Sequence, residues 1–125
     1  MTWPWWLPFG RVPEVSADEL NDMLRDGGAQ LIDVRTPVEF AAGHVAGARN
    51  VPITTLGQAL ASLSLDPNRP VVAICATAHR SLPAVRLLRA AGYKNATQLK
   101  GGMLSWTAAR RPITRTSRVF YAQKG

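Results

Sequence analysis

The sequence predicts an α/β fold in which a parallel sheet is covered by helices on both faces. Two observations carry this. Short apolar runs near residues 30–34, 70–74 and 96–99 lack the polar alternation of a half-solvated strand. Stretches of helical periodicity alternate with them, which is the pattern of strand–helix units. The chain has 125 residues, the size of one domain. With 46% hydrophobic and 18% charged residues, it has enough apolar side chains for a packed core.

In chain order, Ser16 to Asp26 reads as a helix. Ser16 and Glu19 form a capping box, Leu20, Met23 and Leu24 make one apolar stripe, and Gly27-Gly28 stop it. Gln30 to Val34 is a short strand. Thr36 then caps a second helix with Pro37 at its first position, and Gly43 and Gly47 break that segment. Leu56 to Leu65 reads as a helix closed by Asp66-Pro67-Asn68. Pro70 to Ile74 is the clearest buried strand. Ser81 to Ala91 is the clearest helix, with Leu82, Val85, Leu87 and Leu88 for the core. A strand at Ala96–Leu99 leads through Gly101-Gly102 to a last helix running through Trp106.

Two ends differ in composition from this middle. Residues 1–12 form a Trp/Pro-rich arm: Trp3, Trp5, Trp6 and Phe9 are crowded together, and Pro4 and Pro8 forbid a regular helix. Such rings either cover an apolar patch of the domain or meet a partner or membrane interface. Residues 111–125 read as a basic tail, a solvated extension partly ordered by Val119, Phe120 and Tyr121. No apolar run is long enough to span a membrane, and the start lacks the basic and continuous apolar regions of a secretory signal, so a cytoplasmic location is the expectation.

Composition excludes several classes. A single cysteine, Cys75, rules out a disulfide framework and a four-cysteine zinc site. With two histidines and no clustered carboxylates, no metal site is expected. Residues 1–66 hold all eight acids and four basic residues, a net −4. Residues 67–125 hold the other eleven basic residues and no acid, a net +11. That half attracts anions, but its cations are scattered, without the basic–aromatic stripe of a single-strand binder, so no DNA partner is expected.

The chemistry concentrates at Cys75, directly after the central strand, where ligands bind in open α/β sheets. Cys75-Ala76-Thr77-Ala78-His79-Arg80-Ser81 is a strand-to-helix loop. If it curls around the sulfur, its N–H groups, the following helix N-terminus and Arg80 all favour thiolate over thiol. The same donors would form a nest for a persulfide anion. The bland alternative is a buried, inert cysteine. Arg80 either steers an anion or ties loop to helix. His79 is a polar loop residue or a base, and Ser81 reads as a helix-start residue. Asp33 and Arg35 sit at a strand end; they form a buried ion pair supporting the loops, or they reach the site. Glu39 is read as helix surface or as a partner for Arg35 or Arg49.

Three segments resemble the single-domain rhodaneses, a sulfurtransferase family. Leu31-Ile32-Asp33-Val34-Arg35-Thr36-Pro37-Val38-Glu39-Phe40, continuing through Gly43-His44-Val45-Ala46-Gly47-Ala48 and Asn50-Val51-Pro52, is similar to its first signature. Cys75 through Ser81 is similar to its active-site loop. Gly92-Tyr93-Lys94-Asn95-Ala96 with Leu99-Lys100-Gly101-Gly102-Met103-Leu104-Ser105-Trp106 is similar to its C-terminal signature. The resemblance makes residues 13–110 the rhodanese-like domain and implies a sheet of about five strands between two helix layers.

It further implies that Cys75 takes a sulfane sulfur from thiosulfate or another persulfide donor and holds it as a persulfide. An acceptor then removes it: cyanide in vitro, a thiol in the cell, or a partner protein. The N–H groups of Ala76, Thr77, Ala78, His79, Arg80 and Ser81 would cradle that sulfur, with no cofactor. Four residues separate Cys75 from Arg80, a smaller ring than the five of a cysteine phosphatase. Ala78 stands where the family usually has Gly, so a positive φ there would be strained. Ala76 and Thr77 leave the rim without an extra cation, which disfavours the thiosulfate dianion. The alternative is a weakly active or non-catalytic binding and sulfur-carrier module that uses the arm and tail.

Overall fold

The computed structural model describes residues 12–116; the aromatic residues of the arm and Val119, Phe120 and Tyr121 of the tail lie outside them. The elements are β1 (Glu14–Val15), α1 (Ala17–Arg25), β2 (Gln30–Asp33), α2 (Pro37–Ala42), β3 (Arg49–Asn50), α3 (Ile53–Ala59), β4 (Val71–Ile74), α4 (Ser81–Ala90), β5 (Ala96–Leu99) and α5 (Gly102–Ala108). The strands form one five-stranded sheet in the order β1-β5-β4-β2-β3, and every pairing is parallel. Asp33 is in register with Ile74 on one side and Asn50 on the other. The ends of β2, β3 and β4 therefore finish at one level, with Cys75 one residue beyond.

Alternate side chains of each strand feed opposite cores. Ile32, Val71, Ala73 and Cys75 pack with α3 and α4 through Leu56, Ala84, Val85 and Leu88. Leu31, Val72 and Ile74 pack with α1 and α5 through Leu20, Met103 and Trp106. The sheet is thus the middle of three layers, and β4, buried at every position, is its centre.

Local signals act as the residues dictate. Ser16 Oγ accepts the Glu19 N–H at 3.0 Å, and Glu19 Oε1 accepts the Ser16 N–H at 2.7 Å, which starts α1. Thr36 and Glu39 do the same for α2, behind Pro37. Each box contributes about 1 kcal/mol.

The expected helix Leu56–Leu65 is corrected. The helix begins earlier, at Ile53 behind the extended Pro52, and gives way to a 3-10 turn at Leu60–Ser62. Leu63 and Leu65 reach the same core from non-helical chain, across a Ser64 with φ 55°. Their spacing reflects burial in the core, not helical periodicity.

Both ends of the described chain are attached to the domain. Val12 is buried in the α3/α4 core, and the Pro13 carbonyl accepts the Gln98 N–H. Residues 111–116 pack back as a strap. His44 and Thr114 exchange two backbone hydrogen bonds of 2.9 and 2.7 Å, and Thr116 N–H donates to the Ala41 carbonyl at 3.0 Å. The buried Trp106 donates its Nε1–H to the Pro112 carbonyl at 2.8 Å.

Candidate active site

Residues 75–80 curl from the end of β4 into α4. Cys75 is buried, and its Sγ accepts two hydrogen bonds, each 3.3 Å, from the backbone N–H and the Nε–H of Arg80. The loop closes this tightly because Ala78 takes φ 75°, a left-handed conformation that costs an alanine about 1 kcal/mol.

Arg80 is held by Glu39. Its Nη1 and Nη2 donate to Glu39 Oε1 and Oε2 at 2.7 and 2.9 Å, a two-pronged pair reaching from the end of the loop to α2. This corrects the pairing read for Glu39: its partner is Arg80, not Arg35 or Arg49. The same Oε1 closes the capping box with Thr36, so the start of α2 fixes the carboxylate that aims the guanidinium at the sulfur.

Charges follow the geometry. The Arg80 guanidinium, backed by Thr36, holds the Glu39 carboxyl down at about 2 against the burial that opposes it. Burial by itself would push the Cys75 thiol up. The Arg80 amide, the Arg80 guanidinium and the Thr77 amide outweigh burial and bring the thiol below its ordinary value. A buried, inert cysteine would show the burial without these donors.

The far side of the loop is tied to α5. Met103 and Leu104 N–H groups donate to the Cys75 and Ala76 carbonyls at 2.8 and 3.0 Å. That approach requires Gly102: a Cβ there would lie 2.3 Å from the Cys75 carbonyl oxygen, and its φ is 59°.

The remaining predicted residues divide into groups. Asp33 and Arg35 form a buried pair, with Arg35 Nε on Asp33 Oδ1 at 2.9 Å and Nη2 on Oδ2 at 2.8 Å. That Nη2 also bonds the Gly43 carbonyl at 2.7 Å. Asn50 Nδ2 donates to the Asp33 and Arg35 carbonyls, so three segments are braced below the loop. His79 is exposed, its Nδ1 2.9 Å from Thr77 Oγ1.

Ser81 is fully buried and opens α4 without capping it. Its hydroxyl donates to Gln98 Oε1 at 2.7 Å, turning its side chain toward β5. It stands at the helix start, as its place in the sequence predicts, and its hydroxyl serves a partner on β5 and not the helix's own amides.

A cleft of about 350 Å³ opens beside the loop, walled by Glu39, Ala76, Thr77, Met103, Leu104 and Ile113. Met103 and Leu104 belong to the segment that resembles the C-terminal signature, whereas Ile113 had no signal in sequence beyond apolar character. Among the described residues no cluster of His, Cys, Asp or Glu could hold a metal ion, and no helix is long and apolar enough to cross a membrane.

Residues 16–109 match the family described as Rhodanese-like domain. The chain belongs to that family. Like other rhodanese-like domains, it has solved structural neighbours: the human single domain sulfurtransferase TSTD1 is 33% identical with a TM-score of 0.66, over 78% of this chain and 97% of that one. The thiosulfate sulfurtransferase GlpE of Pseudomonas aeruginosa (strain LESB58) is 32% identical over 90 residues, 72% of this chain and 80% of GlpE. The uncharacterized protein YqhL of Bacillus subtilis (strain 168) is 44% identical over 78 residues, 62% of this chain. The rhodanese-like chain spans 60% of YqhL's length.

Proposed function

We propose that this rhodanese-like domain transfers sulfane sulfur through a persulfide on Cys75. The observation that carries this reading is the pair of Arg80 donors on Cys75 Sγ, which favour the thiolate a nucleophile requires. The Cys75 thiolate attacks the outer sulfur of a donor. With thiosulfate, the S–S bond breaks, sulfite leaves and Cys75 carries the persulfide anion. With an organic persulfide, RSSH, the thiolate RS⁻ leaves and Cys75 carries the SSH group. An acceptor nucleophile then attacks the outer sulfur and regenerates the thiolate: cyanide yields thiocyanate, and a cellular thiol yields its own persulfide. No redox partner is consumed. The donors that hold the thiolate also suit the persulfide anion, so the loop serves both states.

The test is intact mass after incubation with thiosulfate or an alkyl persulfide, followed by cyanide. The expected outcome is one added sulfur that leaves with cyanide and is absent in Cys75→Ser. A folded protein with a titratable thiol that gains no sulfur from either donor would overturn the proposal in favour of a binding module.

A further inference from the structure

The cleft beside the loop is completed by a residue that the family match does not reach. That match ends at residue 109, yet Ile113 on the following strap forms one wall. Ile113 is held there closely. Its Cδ1 lies 3.0 Å from where a Cβ on Gly43 would sit, so the glycine leaves room for it. On either side of Ile113, the Pro112 carbonyl takes the Trp106 Nε1–H and Thr114 is paired through two bonds with His44. The strap therefore presents a fixed side chain.

The cleft is mainly apolar, with Arg35, Glu39, Thr77 and Thr107 as its polar wall residues. Ile113, Met103, Ala42 and Ala76 line it together with Leu104, which is 66% exposed. Each cation at this site is matched by a carboxylate: Arg35 by Asp33, and Arg80 by Glu39. Arg115 stands outside, exposed, with its Nε on the Ala42 carbonyl. A cleft of this kind contributes little to holding a dianion. It contributes much more to holding a carbon chain, through the apolar area removed from water.

We infer that Ile113, with Met103 and Leu104, is a specificity wall that selects sulfur donors by the carbon body they carry, favouring small alkyl persulfides over thiosulfate. This rests on the reading of Cys75 as the sulfur carrier. In the favoured reaction the alkyl group lies along Ile113 while its outer sulfur meets the Cys75 thiolate. The S–S bond breaks, the alkyl thiolate leaves through the cleft, and Cys75 becomes the persulfide.

The experiment measures second-order rates of sulfur loading onto Cys75 from n-propyl persulfide and from thiosulfate, read by rapid-quench intact mass. The readout is the ratio of the two rates, because a general loosening of the loop would slow both donors together. In the parent chain the ratio favours the persulfide. Ile113→Ser lowers that ratio about ten-fold, the discrimination that loss of a hydrophobic contact gives, and Ile113→Val restores most of it. Leu104→Ser, at an exposed position that does not strain the fold, moves the ratio in the same direction and decides the matter if Ile113→Ser fails to fold. Loading by both donors with a ratio unmoved in these variants overturns the wall alone. No loading of the folded parent from either donor overturns the sulfur-carrier reading, and the wall with it.

Discussion

Arg80 does two things with one guanidinium. Its outer nitrogens meet Glu39 and its Nε meets Cys75 Sγ, while its backbone N–H supplies a second donor to the same sulfur. The guanidinium fork makes this possible; an ammonium cannot grip a carboxylate with two prongs and keep a third N–H on a fixed line. The thiolate is the form the bonds favour, so the lowered pKa has a definite sign: reactivity rises as pH rises through the lowered value and levels off above it. Arg80→Ala removes the guanidinium and leaves the amide, so the alkylation rate of Cys75 against pH should shift its midpoint upward. Arg80→Lys should recover part of that shift. A profile for Arg80→Ala that superimposes on the parent would show that the backbone donors alone set the thiol.

At the scale of elements, the site is where β4, α2 and α5 converge. α5 can lie against the loop because Gly102 lets its first turn touch the Cys75 and Ala76 carbonyls. Gly102→Ala places a methyl inside that contact and forces a side chain into left-handed backbone, so a loss of about 3 kcal/mol or more in urea-measured stability is expected. A loss below about 1 kcal/mol would mean that α5 can retreat from the loop at little cost.

Much of this level was legible in sequence. Val71–Ile74 announces itself by four apolar residues in a row, and Ser16–Glu19 and Thr36–Glu39 mark two helix starts by spacing alone. The two-residue strands β1 and β3 were not legible, because Glu14–Val15 and Arg49–Asn50 are too short to show a period. Cys75 and Arg80 could be picked out as candidates because they share one loop. Glu39 could not be assigned to Arg80, because the two are 41 residues apart and only the parallel topology brings α2 beside the loop. Ser81 was legible as a helix-start residue, but its hydroxyl's partner was not, because Gln98 lies 17 residues on in β5.

At the scale of the whole molecule, the strap joins the basic end of the chain to the layer that bears α5 and to the site. Composition assigns residues 111–116 to a solvated tail, yet they carry backbone bonds to Ala41 and His44, a carbonyl for Trp106 and a half-buried Ile113. The Arg111–Asp18 pair adds a link to α1 at the surface, where an ion pair contributes little. A chain ending at Arg110 keeps the family's matched residues and loses all of these. Each backbone hydrogen bond contributes roughly 1 kcal/mol net, and part of an isoleucine returns to water. Partial rehydration of the freed groups offsets some of this, so a net loss of about 2 kcal/mol is expected. It should appear as a lower urea midpoint with a nearly constant slope. The shortened chain also opens one wall of the cleft, so its preference between alkyl persulfide and thiosulfate should move toward thiosulfate along with the Ile113 variants. A lower midpoint with an unchanged preference would make the strap a structural clasp and nothing more. An unchanged midpoint would mean that the groups it covers do as well in water, and that its packing against Trp106 and Gly43 adds no net stability.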